Sequence, residues 1–225
     1  MKSKILSSRE NSLILRMNLG KKNRNSIMRI KFFNFSLIIL FLTFLNSNYC
    51  LANNNEALFG NDDSKIIVKV FSSLTCPHCA NFHKKIFEEL RKDYPIIVKF
   101  EHHGFPLDLA ALNAEKLLNC FQNKSKKISF LNEIYEKQDT WANGSDINKI
   151  NSNLIKIAKK HGLNNDMINN CLGDTEIEDK ILNKRIMAQK KYSIDSTPSI
   201  FINEKKYEGK HIYEDFKKII EKEIK

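Results

Sequence analysis

Glycine and proline are scarce in this 225-residue chain, at 7 and 4 residues, which excludes collagen-like repeats and Pro-rich disorder. No internal repeat is evident. No linker rich in Pro, Gly or Ser separates one half from the other, so nothing marks off a tethered second domain. A membrane span needs roughly 20 apolar residues, and the apolar run Phe35–Leu45 has 11, broken by Ser36 and Thr43. Tryptophan occurs once, as Trp141, a residue that reads as packing for a helical block. What the chain has in excess is positive charge: 37 Lys and Arg against 26 Asp and Glu, a net of +11. Such a balance suggests nucleic acid or an anionic membrane surface until the charge is located.

Most of it lies in one place. Residues 1–52 carry 9 Lys and Arg and one acid, Glu10, leaving 28 bases against 25 acids in the rest. Met28–Phe33 (MRIKFF) is basic, Phe35–Leu45 is the right length for the apolar core of a secretory signal, and Cys50-Leu51-Ala52 places small residues for cleavage after Ala52. Residues 1–52 are therefore expected to be a signal peptide with an extended N-terminal leader, Met28 being a candidate start. An uncleaved anchor is the alternative, and a lipid-modified Cys50 is disfavoured by bulky Tyr49. The part from Asn53 onward is nearly balanced and shows no basic run interleaved with aromatics, so nucleic acid is not an expected partner.

Ile66–Ser72 (IIVKVFS) reads as a buried strand, and Pro77–Lys92 as a helix with Phe82, Ile86, Phe87 and Leu90 on one face. Ile96–Glu101 reads as a second strand. Together they make a βαβ unit with a parallel pair. Helices are expected from Asp108 to Phe121, Lys126 to Lys137, Ser145 or Asp146 to His161, Asn165 to Cys171 and Glu176 to Lys191. A strand at Ser199–Ile202, another around Tyr207 and an amphipathic helix from Tyr213 to Glu223 close the chain.

The chemistry concentrates at Cys76-Pro77-His78-Cys79, between the first strand and its helix. A cysteine at a helix N-terminus meets unpaired N–H groups and the positive end of the helix dipole, and both favour thiolate. Pro77 suits the first helical turn. Cys79 lies one turn further along on the same face, where it can resolve a mixed disulfide at Cys76, and His78 can stabilise the reduced form further. A zinc site would need a second ligand pair, but Cys120 and Cys171 are isolated from each other, and His83 reads as a helix-surface residue. Haem attachment requires a His where the chain has Ala80. A purely structural Cys76–Cys79 bridge is the remaining bland reading. Downstream, Thr197-Pro198 leads into the late strand.

These features resemble the DsbA-type thiol oxidases of the bacterial periplasm. The likeness rests on LTCPHC (Leu74–Cys79), GFPLD (Gly104–Asp108), KQDTW ending at Trp141 and including Gln138, and TPSIFIN (Thr197–Asn203). It implies an α/β, thioredoxin-like fold with an inserted α-helical domain: residues 53–107 and 186–225 as the two thioredoxin-like parts, and 108–185 as the insertion. It implies that Cys76 is the nucleophile and Cys79 the resolving thiol, that Pro198 is cis, and that the Thr197 backbone pairs with an extended substrate. Reduced exported proteins are the implied substrates, a DsbB-like membrane quinone reductase the reoxidant, and the periplasm the location. No cofactor and no metal are implied, and a monomer is expected. A low cysteine pKa is already familiar from DsbA itself. Where the family often has a buried acid six residues before the first cysteine, this chain has Val70, which leaves proton handling to water, His78 or Glu101. His102 and His103, on opposite sides of the second strand, are placed at a groove rim without a role.

Four cysteines follow residue 52, which allows three pairings. If Cys76 pairs with Cys79, Cys120 and Cys171 are left at the ends of two helices, as a second bridge or as two buried thiols. Isomerase or reductase activity on the same fold, or a secreted peptide-binding, chaperone-like module, are the alternatives to an oxidase. An N-terminal dimerisation domain of the isomerase kind is not expected in the 13 residues before Ile66.

Overall fold

The computed structural model describes residues 56–224; the expected leader and its cleavage site lie outside them. Five strands form one sheet: β1 (Ala57–Phe59), β2 (Ile66–Ser72), β3 (Val98–Gly104), β4 (Ser199–Ile202) and β5 (Lys205–Lys206), in the order β1-β3-β2-β4-β5. β2 and β3 run parallel with Val68 opposite Phe100 and Val70 opposite His102, while β4 is antiparallel to β2. The β2–β3 crossover is α1 (Pro77–Phe82), a π-helical turn (His83–Phe87) and α2 (Glu88–Asp93). The helical layer is α3 (Leu109–Cys120), α4 (Lys124–Glu136), α5 (Gln138–Trp141), α6 (Ile147–Lys160), α7 (Asn165–Gly173) and α8 (Thr175–Tyr192), and α9 (Tyr213–Ile224) follows the sheet.

Short polar side chains start most of the helical layer. Asp108 accepts from Ala111 N at 2.7 Å, Asn123 from Lys126 N at 3.0 Å, Asn164 from Met167 N at 2.8 Å, and Asp146 and Asp174 cap α6 and α8. α8 runs unbroken through residues 185 and 186, where the insertion was expected to return to the sheet domain. Among the described residues, no helix is long and apolar enough to cross a membrane.

The two sheet faces bury different partners. Val68, Val70 and Phe100 face the crossover, where Phe82, Ile86, Phe87 and Leu90 pack with Phe216 and Ile220 of α9. The opposite face carries Phe71, Phe201, Ala188 and Ile194 in a smaller cluster. This geometry corrects several sequence expectations. β3 starts at Val98, two residues later than expected, and extends to Gly104. The last hairpin turns at Asn203-Glu204, both with positive φ (47° and 66°), so its second strand is Lys205–Lys206 and not a strand around Tyr207. His83 is buried, not on the helix surface: it lies four residues from both Cys79 and Phe87, and that spacing carries it inward. His102 is also buried and not at a rim, because it shares the inner face with Val70.

Candidate active site

The loop from Ser72 to Cys76 is fixed from three sides. Phe105 N donates to Ser72 O at 2.7 Å. Thr75 Oγ1 donates to Asp108 Oδ2 at 2.6 Å, so Asp108 caps α3 with one oxygen and holds this loop with the other. Gln138 Nε2 donates to the carbonyls of Leu74 at 2.8 Å and Cys76 at 3.2 Å. The KQDTW motif therefore acts on the cysteine loop from the helical layer, and Trp141, whose Nε1 donates to Ile134 O at 2.8 Å, anchors that motif in the core.

Cys76 is the extended residue just before α1, with Pro77 in the first turn. No side chain caps this helix, so the N–H of His78 is left to the Cys76 sulfur, and that of Cys79 is shared between the sulfur and Cys76 O. A hydrogen bond from the Cys79 thiol is the largest influence on Cys76; burial opposes it, and Thr197 with the backbone N–H groups of Cys79 and His78 adds to it. The result is a thiol pKa lowered from 9.0 to about 5, which leaves Cys76 as thiolate at neutral pH. Cys79 goes the other way. Its burial, then its contact with Cys76, pushes its thiol far up, so it stays protonated. The two sulfurs are free in this structure.

The Thr197–Pro198 peptide is cis. Cys76 Sγ lies 3.3 Å from Thr197 O, and the Thr197 hydroxyl, buried without a well-directed hydrogen bond, sits close enough to lower both thiols. Pro77 and His78 are exposed beside the pair. Cys120, at the end of α3, is disulfide-bonded to Cys171 in α7, with Cα atoms 6.3 Å apart. Among the described residues, no cluster of three or more His, Cys, Asp or Glu is placed to hold a metal ion.

Glu101 is on the face of β3 away from Cys79. Burial would raise its pKa, but His103 at 3.0 Å and Lys99 at 3.1 Å outweigh it and hold the carboxyl near 2. Glu101 is thus an ion-pair partner on the wrong face to serve Cys79. Sequence reasoning missed Gln138 as the tie to the cysteine loop and His102 and His83 as buried neighbours of Cys79. The strand alternation and the four-residue helical spacing carried the signal for the two histidines.

A family model described as thioredoxin matches residues 52–222. A Rickettsia typhi protein described as a protein-disulfide oxidoreductase is 31% identical over 153 residues, 67% of this chain and 56% of that protein. Disulfide bond formation protein D of Bacillus subtilis is 28% identical over 181 residues, 76% of this chain and 78% of that one. The structure of α-DsbA1 from Wolbachia pipientis shares 29% identity at a TM-score of 0.69, over 75% of this chain and 90% of that one. The chain thus spans little more than half the length of the rickettsial relative.

Proposed function

The chain belongs to the thioredoxin family, in its DsbA-type branch, and on that premise we propose that it is a protein thiol:disulfide oxidoreductase that donates a Cys76–Cys79 disulfide to reduced exported proteins. The observation that carries this reading is the split between two thiols one turn apart: Cys76 is held as thiolate at a helix N-terminus, while Cys79 is kept protonated beneath it. A substrate thiolate attacks Cys76 Sγ, the Cys76–Cys79 bond breaks, and a mixed disulfide forms at Cys76. A second substrate thiolate then attacks the substrate sulfur of that bond. Cys76 leaves readily because its thiolate is stabilised, which favours the oxidising direction.

Pro77 and His78 border the attacked sulfur, and the Thr197 backbone beside cis Pro198 offers an edge to an extended peptide. Leu107 and Leu109 are more than half exposed on either side of Asp108, which bonds the cysteine loop, and they suit apolar side chains of such a peptide. Residues 108–185 serve as the helical insertion that supports this surface, with Cys120–Cys171 as its structural bridge. Residues 1–52 direct export to the periplasm, the protein works as a monomer, and a DsbB-like membrane quinone reductase restores the disulfide.

The test is the reduction potential of the Cys76–Cys79 pair, with Cys76→Ala as control. A donor of disulfides should lie well above the roughly −270 mV of thioredoxin, towards the roughly −120 mV of DsbA. A value at thioredoxin's level would make the protein a reductant. A Cys76→Ala variant that still oxidised a reduced peptide would remove the exchange reading altogether.

A further inference from the structure

Cys79 must gain a proton when the Cys76–Cys79 bond opens and lose one when it closes, yet this cysteine is only 1% exposed. A proton that reaches it has to pass through the protein. Against Cys79 lies a cavity of about 10 Å³, walled by Val70, Phe82 and Phe100 and lined on its polar side by Ser72, His83, His102 and Tyr135. That is room for a single water. Tyr135 is fully buried, and its Oη, although close enough to the Ser72 hydroxyl to feel it, makes no well-directed hydrogen bond among the described residues. A hydroxyl without a well-directed bond beside a water-sized polar void points to an ordered internal water.

Two polar chains leave this void, one through His102 and one through His83, and the first meets a carboxylate directly. His102 Nε2 is 3.0 Å from Glu115 Oε2, and both residues are buried. Asn119 Nδ2 donates to the other Glu115 oxygen at 3.2 Å. Gly104 makes room for that carboxylate: a Cβ there would stand 2.5 Å from Glu115 Cδ. His102 and Glu115 also line a second cavity of about 260 Å³, whose rim includes the exposed Gln122, Lys180 and Lys184. His102 is therefore a shared wall between the void at Cys79 and a cavity that opens to solvent. His83 leads out only through an amide: Asn132, which its ring nitrogen meets, donates Nδ2 to the half-exposed Glu88 at 2.6 Å, and an amide does not take up and release a proton as a carboxylate does. His83 Nε2 is 2.7 Å from Asn132 Oδ1, its ring stacks on Phe87, and burial holds it neutral with a pKa near 4.

We propose that His102 and Glu115 form the proton path of Cys79, linked to its sulfur by one water in the void that Tyr135 lines. This rests on the exchange chemistry proposed above. When a substrate thiolate attacks Cys76 Sγ, the electron pair of the broken bond leaves on Cys79 Sγ. The water gives that sulfur a proton and is reprotonated through His102, which its hydrogen bond to Glu115 orients and which draws a proton in turn from the solvent-open cavity. On closure the proton returns along the same path as the Cys79 thiolate attacks Cys76 Sγ of a mixed disulfide and the electron pair leaves on the partner's sulfur. The oxidant is the disulfide partner alone. The groups facing His102 are Cys79, His83 and Tyr135 on the inner side and Glu115, Lys127, Glu56, Lys180 and Lys184 on the outer side.

The test is single-turnover exchange of the oxidised full chain with dithiothreitol across pH, in the parent protein and in His102→Gln and Glu115→Gln. Each variant should slow the opening and closing of the Cys76–Cys79 bond by about 100-fold, the scale of lost general acid–base assistance. Each should also flatten its pH profile, while the thiolate absorbance of Cys76 titrates as in the parent. Parent rates and an unchanged profile in a folded variant would overturn the proposal. Should His102→Gln fail to fold, Glu115→Gln, which keeps the shape of the side chain, carries the same test alone. A parent protein with no exchange at all would instead sink the oxidoreductase reading, and the two failures are told apart by that control.

Discussion

The molecule holds two pairs of cysteines whose surroundings give them opposite characters. Cys76 and Cys79 sit where a strand meets a helix start, with one sulfur facing the first N–H groups of the helix and the other buried beneath it. That asymmetry separates their pKa values and makes a bond between them easy to open. Cys120 and Cys171 join the C-terminal parts of α3 and α7 inside the helical layer, 51 residues apart in sequence and away from either helix's N-terminus. The same residue type is a reagent in one place and a staple in the other, and the local backbone decides which.

The sharpest way to break the comparison is to remove the staple. Replacing both Cys120 and Cys171 by Ala should cost about 4 kcal/mol in the chain-entropy account for a loop of this length. Exchange at Cys76 should stay within about two-fold of the parent rate, since Cys120 and Cys171 do not line the reactive pair. Chemical denaturation and a peptide-oxidation assay on the double variant read both quantities. A loss of exchange without a loss of stability would show that the two pairs communicate electrons and that the division of labour is wrong.

A smaller effect sharpens the reactive side. The fold lowers Cys76 from 9.0 to about 5, so the unfolded chain binds more protons there between those values. The reduced protein therefore gains stability from Cys76 that is complete above the unfolded pKa and is lost as pH falls through the folded one. Between about pH 7 and about pH 5 the reduced form should lose about 2 kcal/mol relative to the oxidised form, in which neither sulfur titrates. Urea titrations of the two forms at several pH values give the difference. A gap independent of pH would mean that Cys76 is an ordinary thiol.

The reactive pair was legible in the sequence because its signals are local: a β-branched run, a CPHC and an amphipathic helix within one short stretch. The proline before β4 needed the rest of the pattern to mean anything. What lay hidden depends on which face of an element points inward. Alternation placed His102 and His103 on opposite sides of β3 but could not say that Val70 and Cys79 share the His102 side. β1, with three residues, is too short to show a period, and the π-helical turn at His83–Phe87 leaves no compositional mark. The Cys120–Cys171 pairing was one of three arrangements until the helix ends were in space. Gln138 is polar and sits on a short helix, so nothing in its spacing announced that it reaches two carbonyls of a loop more than sixty residues away.

That long-range tie yields the smallest prediction and joins the two regions. Gln138 is buried, and its amide is the only side chain from the helical layer shown donating to the carbonyls of Leu74 and Cys76 among the described residues. Cys76 O also receives the N–H groups of Cys79 and Ala80, whereas Leu74 O depends on Gln138. Gln138→Leu keeps the volume and removes the donor, so one buried carbonyl is left unpaired at a cost of about 2 kcal/mol. Because the loop then has one fewer anchor, Cys76 should react faster with iodoacetamide in the reduced protein, while Cys120 and Cys171 stay bonded. Denaturant midpoints and alkylation rates measure the two consequences. If the variant lost stability with no change in Cys76 reactivity, the helical layer would be packing for the fold alone, and the placement of the reactive cysteine would belong entirely to the sheet and α1.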